Sequence, residues 1–112
     1  MLGIVARGMQ AETLRGHLDA LVLATLQAGP LHGYAVIEEL KLRSEGAFDL
    51  AEGTIYPVLH RLEAEGLLTS AWSTAAGRRR RIYRLTRRGR SSLVQRRTDW
   101  QGFVRAVEAV LA

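Results

Sequence analysis

The chain has 112 residues, with 16 basic and 11 acidic side chains and a formal net charge of +5 at pH 7. Lys41 is the only lysine, so arginine carries almost all of the positive charge, and its planar fork suits phosphate and guanine. The absence of cysteine excludes disulfides, thiolate metal sites and cysteine nucleophiles. This length predicts one small domain with one modest core.

The first part of the chain predicts an arm followed by a helix. Residues 1–10 show no clear hydrophobic period, and we expect a flexible N-terminal arm there. Residues 11–28 return leucine to one broad face, which predicts a helix that ends at Gly29 and Pro30. No segment has a signal-peptide core or enough apolar residues to span a membrane, so we expect a cytoplasmic protein.

Two more helices are predicted before any strand. The second opens at Leu31 and runs to about Arg43, with Tyr34, Ile37 and Leu40 as its inward stripe. The third covers residues 50–66, has a poor N-cap in Ala51, and ends at Gly66.

The third helix has two unlike faces. Its apolar stripe recurs at helical spacing and consists of Ile55, Val58, Leu59 and Leu62. Its other face offers hydrogen-bond donors for phosphates or base edges, namely Thr54, Tyr56, His60 and Arg61. Gly53 lies near the helix start, where free N–H groups favour an anion. The alternative is a core helix whose outer face is only hydrated.

Residues 67–73 and 78–85 predict the two strands of a β-hairpin joined by a turn at residues 74–77. Four successive arginines, Arg78, Arg79, Arg80 and Arg81, begin the second strand. Burying half of them unpaired would be costly, so we expect the hairpin tip to extend into solvent or against an anion. A solubilising charge run is the alternative, weakened because no acidic residue occurs between Glu65 and Asp99.

Thr86 is the predicted cap of a last helix, residues 87–112, whose apolar residues recur by threes and fours. So long a helix has no obvious partner in so small a chain, and we expect it to form a two-fold dimer. The predicted interface consists of Leu14, Leu18, Leu93, Trp100, Phe103, Val104, Val107 and Leu111. The alternative is a helix folded back over the first helix of its own chain.

The order of elements predicts a mainly α fold with a two-stranded β-hairpin. Residues 11–86 would form a winged helix-turn-helix domain and residues 87–112 a dimerisation helix. In such a fold the third helix enters the major groove, and the hairpin, or wing, reaches the neighbouring backbone or minor groove. A dimer would bind double-stranded DNA at a pseudo-palindromic operator with half-sites about 34–36 Å apart. The predicted DNA-binding residues are Gly53, Thr54, Tyr56, His60, Arg61, Arg78, Arg79, Arg80 and Arg81.

An enzyme is not expected. His17, His32 and His60 fall on three different predicted helices without metal-type spacing, and each is more typical of a surface or cap residue. No nucleophile–base set or phosphate loop occurs, so we expect no metal and no cofactor. The rival function is a winged-helix protein-interaction module that docks an acidic partner. Arginines engaged by acidic residues of the same chain would favour that rival.

Three segments also resemble the PadR family of bacterial transcriptional regulators. They are GPLHGYAVIEEL at residues 29–40, EGTIYPVLHRLEAEGLL at residues 52–68, and GRRRRIYRLTRRGR at residues 77–90. The last helix is similar to that of the short subfamily, which has a single C-terminal helix. The resemblance implies a dimeric winged-helix repressor.

The resemblance also implies roles for individual residues. Gly53, Thr54 and Tyr56 match the start of the family's recognition helix, and residues 77–80 match its wing. Trp100 matches a tryptophan that faces its symmetry mate across a central pore, where some relatives bind flat aromatic or phenolic compounds. This implies an aromatic effector at Trp100 and Leu18, with simple interface packing as the alternative for Trp100.

Two departures from the family pattern concern the cap and the wing. Ala51 and Glu52 stand where the family often has Ser and Pro, which weakens the cap and places a negative charge near DNA. Residues 74–76 lack the acidic and glycine residues often seen at the wing tip.

Overall fold

A computed structural model describes residue 14 and residues 16–112. The elements in order are α1 (Leu18–Thr25), β1 (Leu31–His32), α2 (Gly33–Arg43), α3 (Glu52–Ala64), β2 (Leu68–Ala75), β3 (Arg78–Leu85) and α4 (Arg87–Leu111). The predicted class, a mainly α fold with a β-hairpin and a long last helix, is confirmed. The arm predicted for residues 1–10 and the predicted helix start at residues 11–13 lie outside the described residues.

The first described helix is shorter than the sequence pattern predicts. Gly16 has φ 87°, a left-handed conformation that interrupts a right-handed helix, so α1 begins only at Leu18. At the other end the amides of Leu26 and Gln27 bond to carbonyls three residues earlier, which tightens the chain into a turn after Thr25. A continuous helix over residues 11–28 is therefore wrong.

The start of α2 differs from the predicted stripe. Ile37 and Leu40 are buried as expected, but Tyr34 is 52% exposed. Gly33 takes the inward position, because a Cβ there would lie 2.6 Å from the ring of Tyr56 in α3. The two helices therefore approach closely at a residue without a side chain.

The third helix follows its predicted pattern. Ile55, Val58, Leu59 and Leu62 are all buried, and Ala51 caps the helix without a side-chain hydrogen bond. Gly66, at φ 80°, ends it. The amide of Leu67 donates to the carbonyl of Leu62 at 2.9 Å, and the amide of Gly66 to that of Glu63 at 3.0 Å. This pair of bonds is a Schellman motif, which turns the chain directly into β2.

The hairpin is longer and its turn tighter than predicted. β2 and β3 pair in antiparallel register from Leu68↔Leu85 to Ala75↔Arg78. Only Ala76 and Gly77, with φ 52° and 75°, form the connection, as in type I′ turns that match strand twist. Leu31 and His32, predicted to open the second helix, instead form β1 and pair with the other edge of β3. The sheet therefore has three strands, in the order β1-β3-β2, and not the two that were predicted. The wing is hereafter β2, this turn and β3.

The last helix is tied to the end of α3. Thr86 Oγ1 accepts a hydrogen bond from the amide of Gly89 at 3.0 Å and donates to the carbonyl of Gly66 at 2.7 Å. A Cβ at Gly89 would overlap the carbonyl oxygen of Leu67, so α4 starts in direct contact with the chain that leaves α3. Among the described residues, no helix combines the length and apolar character needed to cross a membrane.

The first turns of α4 pack within the chain, which corrects part of the predicted dimer seam. Leu93 is 3% exposed and Leu14 is 5% exposed, and both belong to the hydrophobic core. They are covered because α4 crosses α1 there, so neither is available to a second copy. The alternative of a helix folded over α1 therefore holds for this first part of α4. Further along the helix, Trp100 and Phe103 are about half exposed.

Candidate nucleic-acid interface

The outer face of α3 is a narrow ridge with little charge. Because Ile55, Val58, Leu59 and Leu62 point inward, the opposite side of the helix faces solvent. The exposed residues along it are Gly53, Pro57, His60 and Ala64. Their spacing of three and four residues places them one above another. Gly53 has open space around its Cα, so its backbone is accessible near the helix N-terminus.

Tyr56 borders this ridge on the side of α2. Its ring is half-buried against Gly33, and its centroid lies 6.4 Å from that of His60. The ring is therefore held by the packing of α3 on α2, at the edge of the exposed face. Thr54 is also half-buried, on the opposite side of the helix.

Arg61 is bound within the chain. Its Nη1 and Nη2 donate to the two carboxylate oxygens of Asp19 in α1 at 2.9 and 2.6 Å, and Glu65 lies 3.6 Å away. These hydrogen bonds lower the pKa of Asp19 and raise the pKa of Arg61. Arg61 is predicted to donate to DNA from the outer face of α3, but in this structure a carboxylate of α1 already accepts its hydrogen bonds. Asp19 Oδ2 is also 3.7 Å from Arg96 Nη1 of α4, so one carboxylate touches arginines of two helices.

The four wing arginines divide between two faces of the hairpin. Because side chains alternate along a strand, Arg79 and Arg81 share one face with Trp72 of β2, while Arg78 and Arg80 share the other. Arg81 Nη2 lies 3.7 Å from Glu63 Oε2 of α3. Trp72 is 54% exposed, so it belongs to the wing surface and not to the core.

His32 joins the start of α2 to the wing. Its Nδ1 accepts the amide of Ala35 at 3.2 Å as the N-cap of α2, and its Nε2 lies 2.8 Å from Arg80 Nη1. Burial and the charge of Arg80 both lower the pKa of His32. The cap role agrees with the expectation that His32 is a surface or cap residue, whereas its contact with Arg80 was not expected. That contact depends on the pairing of β1 with β3, which no local pattern reveals.

Through Gly33 and His32, the structure connects two of the predicted DNA-binding residues, Tyr56 of α3 and Arg80 of the wing. Tyr56 touches Gly33, the neighbouring His32 touches Arg80, and Arg80 lies on the wing. Arg61 stands apart on the flank of α3 that faces α1. Intrachain pairing divides these arginines into two groups: Arg61 and Arg81 meet carboxylates, whereas the described ion pairs include none of Arg78, Arg79 or Arg80.

A second candidate site lies between α1 and α4. It is a cavity of about 520 Å³ whose lining includes His17, Leu21, Arg96, Trp100 and Phe103. The Trp100 ring meets His17 edge-on at 5.0 Å and lies 5.8 Å from Phe103, so these three rings form an aromatic part of the cavity wall. Leu18, predicted to line a ligand site with Trp100, is not in the lining. It packs against the hydrophobic core instead.

Comparison with known proteins gives one consistent result. The model of the transcriptional regulator PadR-like family matches residues 22–95. The transcriptional regulator Rv3488 of Mycobacterium tuberculosis is 42% identical over 77 residues, which cover 69% of each chain.

Solved structures agree in fold. A PadR family transcription regulator from Clostridium difficile R20291 has a TM-score of 0.77 at 30% identity, over 87% of this chain and 100% of that one. A PadR family transcriptional regulator from Eggerthella lenta has a TM-score of 0.77 at 33% identity, over 90% and 87% of the two chains.

Proposed function

Since this chain belongs to the PadR-like family of transcriptional regulators, we propose that it is a dimeric repressor of a pseudo-palindromic operator, released by a small aromatic or phenolic ligand. The family consists of regulators and not of enzymes, so the chain acts through binding. The observation that carries the proposal is the series of contacts from Tyr56 through Gly33 and His32 to Arg80, which joins α3 and the wing in one surface.

On this surface we assign different tasks to α3 and to the wing. The ridge of α3 enters the major groove, where His60 and Tyr56 reach base edges and Gly53 and Thr54 approach a phosphate near the helix N-terminus. The arginines Arg78, Arg79 and Arg80 bind backbone phosphates, which adds affinity and salt dependence but little sequence preference.

We assign Arg61 a different role from the one that its sequence position suggests. Its guanidinium already binds both oxygens of Asp19, so its first task is to hold α3 against α1. The half-exposed side chain contributes to DNA binding from the flank of the helix.

The proposed dimer uses the later part of α4. Trp100, Phe103 and Leu111 expose 47%, 55% and 78% of their surface, and Val104 and Val107 lie on the same stripe. A second copy of α4 would cover them in a two-fold interface. Such a dimer would carry two copies of α3 and two wings, which suits a pseudo-palindromic operator.

The proposed effector site is the cavity between α1 and α4. Its aromatic wall suits a flat ring, and Arg96 in the lining suits a phenolate or carboxylate on that ring. The same Arg96 lies 3.7 Å from Asp19, which binds Arg61 of α3, so a ligand at Arg96 would act on the helix proposed to read DNA. The alternative is that Trp100 only packs in the dimer interface.

The test is fluorescence anisotropy with duplex DNA from upstream of the chain's own gene and with a scrambled duplex, each across a salt series. The variants are His60→Ala on the ridge and Arg80→Ala on the wing. Arg105→Ala is the matched control, because it removes one charge from an exposed position on α4. Sedimentation at the same concentrations gives the oligomeric state.

We expect selective binding that falls with salt by about 0.9 log units of K per log unit of salt for each neutralised phosphate. Arg80→Ala should weaken binding to both duplexes and lower this slope, while His60→Ala should mainly reduce selectivity. Equal, weak binding to both duplexes that neither variant changes would refute the proposal. An acidic protein partner would then be the function to test.

A further inference from the structure

Trp72 is a large side chain on the wing that the assigned contacts do not use. It lies in β2 opposite Arg81, and the next position of β3 on the same face, toward the tip, is Arg79. The indole is 54% exposed, although a tryptophan gains most from burial. Packing in the core therefore does not explain this tryptophan, and its contacts on the wing surface indicate its role.

Two guanidinium groups lie over this ring. Arg79 Cζ is 4.4 Å from the ring centroid and Arg81 Cζ is 5.4 Å from it, both within the range of cation–π attraction. Arg81 has a second partner in Glu63, whose carboxylate also accepts the hydroxyl of Ser70 at 2.6 Å. The ion pairs of the described residues include none for Arg79, so the indole is the partner that orders it.

The kind of partner decides how much charge remains for a ligand. A carboxylate orders an arginine and also cancels its charge, as Asp19 does for Arg61. An indole is neutral and binds the guanidinium through its ring face, so the positive charge and the N–H donors at the edge stay available. A long exposed arginine otherwise loses rotamer freedom when it binds.

We propose that Trp72 is a positioning residue for DNA binding, which holds Arg79 in an ordered pose so that its guanidinium meets a backbone phosphate with its charge intact. The proposal rests on the proposed function. It assigns to the wing an ordered arginine, Arg79, and distinguishes it from Arg81, whose charge is partly offset by Glu63.

The test is a double-mutant cycle with Trp72→Leu, Arg79→Ala and the double variant. Leucine keeps an apolar side chain on the strand but has no ring face. An exposed cation–π contact corresponds to about a two- to fivefold change in affinity, and two wings in a dimer make that about 4- to 25-fold. We expect Trp72→Leu to weaken binding by this factor with the salt slope nearly unchanged, because no charge is lost. Arg79→Ala should lower the slope by about 0.9 for each wing.

The decisive result is the coupling between the two sites. In the Arg79→Ala background, Trp72→Leu should cause no further loss of affinity. With Arg79 present, Trp72→Phe should keep most of the affinity that Trp72→Leu loses. If Trp72→Leu weakens binding equally with and without Arg79, the indole only supports the hairpin and the proposal fails. Unchanged affinity in Trp72→Leu would also overturn it.

The experiment separates this proposal from the proposed function. All variants are measured on the scrambled duplex at low salt as well, because a phosphate contact does not need the operator sequence. If the wild type binds both duplexes equally, the repressor assignment is contradicted. The coupling between Trp72 and Arg79 on the scrambled duplex then still tests the role of Trp72. A wild-type protein that binds neither duplex overturns both. If Trp72→Leu unfolds, judged by circular dichroism, Trp72→Phe in the two Arg79 backgrounds provides the same cycle with a smaller expected effect.

Discussion

Replacing Asp19 with asparagine tests whether Arg61 fixes α3 to α1 through this carboxylate. The Asp19 side chain is 18% exposed and accepts two hydrogen bonds from Arg61, at 2.6 and 2.9 Å. Asparagine has the same shape but no charge, so the substitution removes the ion pair and leaves the packing nearly intact. Arg96, at 3.7 Å, loses the same partner.

The magnitude lies between two limits. Fully exposed ion pairs contribute about 0.2–1 kcal/mol, and hydrogen bonds to charged groups about 1.5–3 kcal/mol. Arg61 is 48% exposed and can turn to Glu65 at 3.6 Å, which recovers part of the loss. We therefore expect the free energy of unfolding to fall by about 1–2 kcal/mol, or the Tm by about 4–8 °C for a domain of this size.

The effect of Asp19→Asn should depend on pH. Arg61 lowers the pKa of Asp19 in the folded state below its ordinary value of 3.8. A lowered carboxyl pKa stabilises the fold fully above the unfolded value, and this stabilisation is lost as the pH falls through the folded value. The difference between wild type and Asp19→Asn should be constant from neutral pH down to about pH 5 and shrink below about pH 4.

Urea unfolding followed by circular dichroism at fixed protein concentration measures these differences. The cycle includes Arg61→Gln and the double variant, because a direct pair requires that the two losses are not additive. Two results would refute an ion pair between Asp19 and Arg61. One is that the losses in free energy of unfolding of the two single variants are additive in the double variant; the other is that the difference between wild type and Asp19→Asn persists unchanged to pH 3.

Two further substitutions test the geometry of the chain reversals. Gly89→Ala places a Cβ against the carbonyl oxygen of Leu67, so we expect the free energy of unfolding to fall by about 3 kcal/mol. If urea unfolding shows the variant to be as stable as the wild type, α4 does not start in contact with this carbonyl. Ala76→Gly relieves a left-handed residue at φ 52° in the wing turn, so we expect a gain of about 0.5–1 kcal/mol by thermal unfolding. A lower Tm would show that the turn is not of this type.

Local chemistry made several elements predictable from the sequence. The apolar period of α3 identified its buried face, and Gly66 identified its end, because both depend on residues close together in the chain. Thr86 at the start of α4 is similar, since a cap bonds to an amide three residues away. The three segments that resemble the PadR family also led to the correct family, because each is a short run of neighbouring residues.

Other expectations failed where one element meets another. A hydrophobic period shows that one face of α4 is apolar. It does not show which part of that face is buried within the same chain, and in the structure α1 covers Leu93. Tyr34 was placed inside, whereas Gly33 occupies that position, since only a residue without a Cβ lets Tyr56 approach. Both outcomes depend on how closely two helices pack.

The amino-acid sequence by itself determined the family, the order of the helices and the hairpin, the basic wing and the apolar stripe of α3, because these depend on composition and on short-range spacing. Only the tertiary structure decided the partner of each arginine. Arg61 and Asp19 are 42 positions apart, and Arg80 and His32 are 48 apart. Contacts at such separations form only when packed helices and paired strands bring the side chains within hydrogen-bond distance, and they determine which positive charges remain available to DNA.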